Sequence, residues 1–308
     1  MNNITAPIAL FTYNRADHTQ QAVESLLKNA EAKDSNLFIF SDGAKTPEKQ
    51  KGVDDNRTYI HTVSGFKSVT IIEREKNWGL ANSLIAGITE IVNRYGRVIV
   101  VEDDLILSPY FLQFMNEALE KYKDDDRVAS ISAFLNPVEG DVPATFFLRY
   151  FACWGWATWK RGWDILINDD RELLRRLRWK KNDFNIGGTG PFYGILYCDK
   201  VGLNDSWAVR FYASQFLAGK LQLFPGKSLA LQNGMDGTGT HSGEAPDLYN
   251  AVRLASSPIA VQDIRVEENK EMYAAYSRYY RGERKTTIST EYNRIKSFVR
   301  RLIGIDYR

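Results

Sequence analysis

What the 308-residue chain lacks narrows it first. It has only two cysteines, Cys153 and Cys198, too few for a disulfide framework. A reducing compartment is the simpler inference. Met1 to Pro7 is polar, with no basic region ahead of an apolar stretch, so no secretory leader is read there. No segment approaches the roughly 20 apolar residues of a transmembrane helix. The expectation is a cytosolic protein. Neither sign of charge dominates: 40 Lys and Arg stand against 38 Asp and Glu, so there is no global signal for nucleic acid. No G-x-G-x-x-G follows the first expected strand, and there is no Walker A sequence. Those absences argue against dinucleotide binding of the Rossmann kind and against a P-loop NTPase. Internal repeats and low-complexity tracts are missing too. Histidine is scarce, with only His18, His61 and His241.

What is present is ordinary globular material. Apolar residues make up 44% and aromatics 13%, enough for one large α/β domain or two small ones. The chain is organised around residues 97–107, RVIVVEDDLIL. A continuous β-branched run reads as a strand buried on both faces. It ends in three carboxylates, Glu102, Asp103 and Asp104. Unpaired, such a triplet is expensive to bury, and a divalent cation would relieve the repulsion. The alternative is a loop whose acids cap the next helix.

The flanking pattern supports the first reading. Strands are expected at 7–13, 37–40 and 69–72, with helices at 16–27 and 80–93. Strands alternating with helices predict parallel βαβ units. The polar groups after each strand then converge on one sheet edge, where α/β proteins hold ligands.

Four segments carry a resemblance: IALFTYNR at 8–15, FSDG at 40–43, NWGLANS at 77–83 and VEDDL at 101–105. In this order the chain resembles nucleotide-sugar glycosyltransferases of the GT-A fold over roughly residues 6–245. The likeness is to the N-acetylglucosaminyltransferases that begin complex N-glycan branching and to their bacterial family 2-like relatives. It implies an α/β fold with a mixed, mainly parallel sheet flanked by helices and a C-terminal helical tail. Residues 1–107 would form the nucleotide-sugar-binding half, 108–245 the acceptor half and 246–308 an extension.

The resemblance also implies roles. Thr12, Tyr13 and Arg15 would line the nucleotide, and Asp42 would accept a hydrogen bond from base or ribose. Gly79 would admit the donor at a helix N-terminus, with Ser83 on the first turns. Asp104 would bind Mn²⁺ or Mg²⁺ directly, and Glu102 and Asp103 would help through water, ribose or sugar hydroxyls.

Further along, four of the seven tryptophans fall in residues 153–163. Trp156 is a candidate for the floor of the sugar pocket; a core plug is the alternative. Residues 179–191 read as a loop that closes over the donor or as a plain surface connection. Asp205, at the start of an expected helix, is the candidate base of an inverting transfer. Its alternative is a helix cap, and the register departs from the relatives' two acids before tryptophan. His241, in a glycine-rich loop, is a candidate metal or diphosphate ligand, or else a surface residue. Over 291–303 a basic amphipathic helix is expected, facing a membrane or packing on protein.

The function expected is inverting, metal-dependent transfer of a sugar from a nucleotide diphosphate, uridine-linked, to a glycan or lipid-linked acceptor in surface polysaccharide synthesis. Its rivals are a glycan- or nucleotide-binding module without turnover and a metal-dependent phosphohydrolase.

Overall fold

The computed structural model describes residues 5–234 and 252–282. Its first half contains β1 (Ile8–Thr12), α1 (Ala16–Leu27), β2 (Asn36–Ser41), α2 (Pro47–Ile60), β3 (Ser68–Glu73), α3 (Leu80–Tyr95) and β4 (Arg97–Glu102). These strands are parallel, in the order β3-β2-β1-β4. Next come β5 (Leu105–Leu107), α4 (Phe111–Lys121), β6 (Val128–Ser132), β7 (Thr145–Leu148) and β8 (Trp156–Trp159). Four helices follow: α5 (Lys160–Trp163), α6 (Asp170–Leu177), α7 (Lys181–Phe184) and α8 (Phe192–Lys200). The last named elements are α9 (Trp207–Leu217), β9 (Leu221–Pro225) and β10 (Ala230–Gln232). The large sheet continues from β4 as β8-β6-β9-β7, with β8 and β7 antiparallel to their neighbours. The result is a mixed, mainly parallel sheet, as the sequence pattern predicts.

The central strands are apolar throughout because both sheet faces are covered. In β1, Ile8 and Leu10 join Val23, Leu26 and Leu112 on one face. Ala9 and Phe11 join Leu84, Ile88 and Phe211 on the other. Fully burying each large side chain contributes roughly 1.5–3 kcal/mol.

The apolar run at 97–107 is not one strand. It breaks after Glu102, because the carboxylates cannot continue a buried ladder. A turn at Asp103-Asp104 redirects the chain, and β5 pairs with β10 in a separate ribbon. That ribbon is backed by α1, where Leu107 N donates to Ser25 Oγ.

After Val252 the chain bonds to β7, where Gln262 N donates to Thr145 Oγ1 and Asn269 N to Phe147 O, and residues 270–282 are helical. Met272, Tyr276 and Tyr280 pack on Phe146, Phe224 and Ile186. The boundary expected at residue 245 and the amphipathic segment 291–303 lie outside the described residues. Among the described residues no helix is long and apolar enough to cross a membrane. Residues 179–191 are more structured than the loop expected from their glycines: α7 and a tight turn over 185–190 occupy them.

Candidate functional site

Parallel pairing sends the carboxyl ends of β1, β2, β3 and β4 to one edge. Helices α3 and α9 each run back toward the start of the next strand, so both N-termini sit on that same edge. There their dipoles favour negative charge.

The acidic triplet lies at the centre of the edge. Glu102 closes β4 in register with Phe11, and Asp103 N donates to Phe11 O. Arg15, the residue before α1, spans the turn. Its Nη2 donates to Asp103 Oδ1 at 2.7 Å and to Asp104 Oδ2 at 2.9 Å. Arg15 Nη1 is buried with no partner among the described residues.

One guanidinium faces three carboxylates, and the imbalance shows in their acidity. Burial, then Asp104 and Asp103, push the Glu102 carboxyl well above the usual range. Burial raises Asp103 to about 6 against the pull of Arg15. Burial lowers the Arg15 pKa, but its two aspartates more than offset that. Burial and Glu102 together raise the Cys153 thiol, so it stays protonated.

The donor set fits a hard divalent cation: oxygen ligands with surplus negative charge. Among the described residues no three acidic, cysteine or histidine groups form a ready-made cage. Mg²⁺ is typically held by one or two carboxylates and completes its shell from phosphate and water. His241 lies outside the described residues.

The ribbon strand β10 delivers a lid to this turn. Asn233 N donates to Asp104 O at 2.7 Å, and Asn233 Nδ2 donates to Gln21 Oε1. A Cβ on Gly234 would stand 2.6 Å from Asp104 Oδ2.

The remaining strand ends form the wall beside it. Thr12 is buried, its hydroxyl accepting from Asn56 Nδ2. The Tyr13 hydroxyl accepts from Lys45 N. Asp42 is buried just beyond the end of β2. Its carboxylate accepts from the N–H groups of Gly43, Trp78 and Gly79 and from Asn77 Nδ2, which commits it to the chain's own donors. Gly79 has φ 75° and ψ 156°, a conformation that only glycine adopts readily. Ser83 is buried on the first turn of α3. Trp78 is half exposed beneath the Arg74 guanidinium, 4.0 Å from its ring centroid.

The sequence model of glycosyl transferase family 2 matches residues 8–190, from β1 through the turn before α8. The chain belongs to glycosyl transferase family 2. It is 24% identical over 178 residues to an α-1,3-mannosyl-glycoprotein 2-β-N-acetylglucosaminyltransferase of Arabidopsis thaliana. That match covers 52% of this chain and 39% of the relative, so the chain spans well under half of the relative's length. A solved mannosyltransferase, PcManGT from Pyrobaculum calidifontis, in complex with GDP-Man and Mn²⁺, matches 70% of this chain and 76% of its own. The identity there is 13% and the TM-score 0.37.

Trp156 and Asp205 of this family 2 chain are the two remaining candidates. Trp156 is fully buried, stacked on Trp207 at 5.5 Å and packed edge-on by Phe151. It is the core plug rather than a pocket floor, because β8 begins with it between two covered faces. Asp205 is not the helix cap. Ser206 takes that role, its hydroxyl accepting from Val209 N. The Asp205 side chain is left 60% exposed, ion-paired to the buried guanidinium of Arg210. Asp199 pins the loop by accepting from Asn204 Nδ2 at 2.7 Å and Ser206 N at 3.1 Å.

Sequence reasoning missed Arg210 and Asp199; it singled out the glycine-rich loop that begins at Gln232 but not its closure over Asp104. Arg210 lies five residues beyond Asp205, outside the three- and four-residue spacings that mark a helical ion pair. The lid depends on β5 pairing with β10, more than 120 residues later in the chain, and no local signal marks that.

Proposed function

We propose that the chain is an inverting, metal-dependent glycosyltransferase. Its donor is a nucleoside-diphosphate sugar, uridine-linked, and its acceptor a glycan or lipid-linked saccharide of a surface polysaccharide. One observation carries the reading: an acidic triplet only partly offset by a single arginine, on the sheet edge that also receives the N-termini of α3 and α9.

The wall made by Thr12, Tyr13 and the Asp42-supported loop at Asn77, Trp78 and Gly79 receives the nucleoside. Asp42 acts by shaping that loop, and Gly79 leaves the backbone N–H groups at the head of α3 uncrowded by a Cβ. Arg15 is the cation for the diphosphate. Asp104, helped by Asp103 and Glu102, would hold Mn²⁺ or Mg²⁺. That ion supplies Lewis-acid neutralisation of the leaving diphosphate. Asp205 takes the acceptor hydroxyl proton while the hydroxyl attacks the anomeric carbon from the side opposite the diphosphate. Arg210 and Asp199 hold Asp205 in place.

A thermal-shift and turnover screen of UDP-GlcNAc, UDP-Glc and GDP-Man, with Mn²⁺ or with chelator, tests the proposal. Stabilisation and nucleoside diphosphate release that both need the cation support it. Asp205→Asn keeps donor binding and loses transfer; transfer at the original rate would remove Asp205 from the mechanism.

A further inference from the structure

Seven large apolar side chains are exposed among the described residues, and four of them, Trp179, Tyr197, Val201 and Leu203, belong to one stretch. Trp179 is 84% exposed and Leu203 69%. Such clustering marks an interaction surface, whereas scattered exposed residues do not.

The same stretch is densely basic. Five of the seven residues Arg175–Lys181 are Arg or Lys, in a chain whose net charge is only +2. Helix α6 turns Leu173, Leu174 and Leu177 into the body, which leaves its arginines outward. Arg175 is paired with Glu172. Others lie over aromatic rings: Arg178 is 4.3 Å from the Trp179 centroid and Lys181 Nζ 4.9 Å from that of Tyr193. Tyr193, Tyr197 and Val201 recur at four-residue spacing, so they line one face of α8. Lys200 Nζ flanks that face, 5.7 Å from the Tyr197 ring.

We propose that this surface, the end of α6 with the Tyr193–Leu203 face of α8, docks on an anionic lipid bilayer. Tryptophan and tyrosine settle at the depth of lipid headgroups, and lysine and arginine stems lie along apolar surface with their charges toward phosphate. The charge is complementary to acidic headgroups, and the exposed apolar residues are clustered beside it. Leu203 stands two residues before Asp205. Docking therefore brings the bilayer to the acceptor end of the crevice, where a lipid-linked saccharide would arrive. That last tie rests on Asp205 acting as the base.

The test is vesicle co-sedimentation of the full chain, using phosphatidylcholine alone and with a minority of phosphatidylglycerol. The combined variant Arg178→Gln, Lys180→Gln, Lys181→Gln leaves residues 283–308 intact. We expect binding to the anionic vesicles only, weakened at least about tenfold in the variant, with donor turnover in solution unchanged. Brominated acyl chains quench tryptophan emission in the parent, and Trp179→Phe abolishes that quenching. Unchanged partitioning of the charge variant overturns the proposal. So does a parent chain that ignores vesicles and binds single-stranded RNA or heparin. Weakened vesicle binding in the variant, with Asp205→Asn still transferring sugar, supports the surface and overturns its tie to the acceptor.

Discussion

Gly234 lies against Asp104 so closely that a Cβ would stand 2.6 Å from one carboxylate oxygen and 2.9 Å from Arg15 Nη1. The site is thus closed on one side by a segment more than 120 residues away in sequence. Gly234→Val must displace Asp104, Arg15 or the end of β10. Transfer should fall at least about tenfold, since small misplacements at a reacting centre are costly. The thermal midpoint should fall only by roughly 2–4 °C per kcal/mol of clash. Steady-state rates and a melting curve on one preparation check this; full activity would mean the segment does not bear on Asp104.

Arg15 occupies the space between Asp103 and Asp104 that a cation would share. In Arg15→Gln, Mn²⁺ affinity without donor should rise by about tenfold, because a competing charge is gone. Nucleotide-sugar affinity should fall in the same variant, because the diphosphate loses its guanidinium. Titration calorimetry of each ligand reads the two opposite signs. A fall in both affinities contradicts the competition.

Asp103 titrates near pH 6, raised by burial and partly restored by Arg15. Its ordinary value is about 3.9, so the metal-free fold favours the protonated form. That contribution to stability is present below pH ~4 and fades as pH rises toward 6. A cation binds the ionised form, so Mn²⁺ affinity should increase from pH 5 to 7 with net proton release. Calorimetry in buffers of different ionisation heat measures both.

Asp42→Ala removes the acceptor shared by the N–H groups of Trp78 and Gly79. Each stranded donor costs about 1–3 kcal/mol when buried and less where water reaches it. The midpoint should drop by several degrees, and KM for the donor should rise more than kcat falls. Unchanged KM with a lowered midpoint would confine Asp42 to stability.

The left half of the fold was legible because each element announces itself locally. Ala16–Leu27 has a 3.6-residue apolar period, and Val98–Val101 is continuously apolar between covered faces. The four polar strand ends follow from parallel pairing, so the acidic triplet and Arg15 were readable together. Trp156 was ambiguous because tryptophan suits either a sugar face or a core, and only the stack on Trp207 decides it. The bonds of Asp42 to Trp78 and Gly79 were not readable, because an acid after a buried strand looks the same whether or not it serves the chain's own N–H groups. Helix α7 was obscured by the glycines that follow it at 187, 188 and 190, whose conformational freedom points to a loop.

The most direct measurement is nucleoside diphosphate release from the preferred nucleotide sugar, in the parent and in Asp104→Ala, across a Mn²⁺ titration. The account predicts cation-dependent release by the parent. In Asp104→Ala it predicts release at least about a hundredfold lower at every Mn²⁺ concentration, since the ion's Lewis-acid contribution is several kcal/mol. Equal, cation-stimulated release by both chains would contradict it.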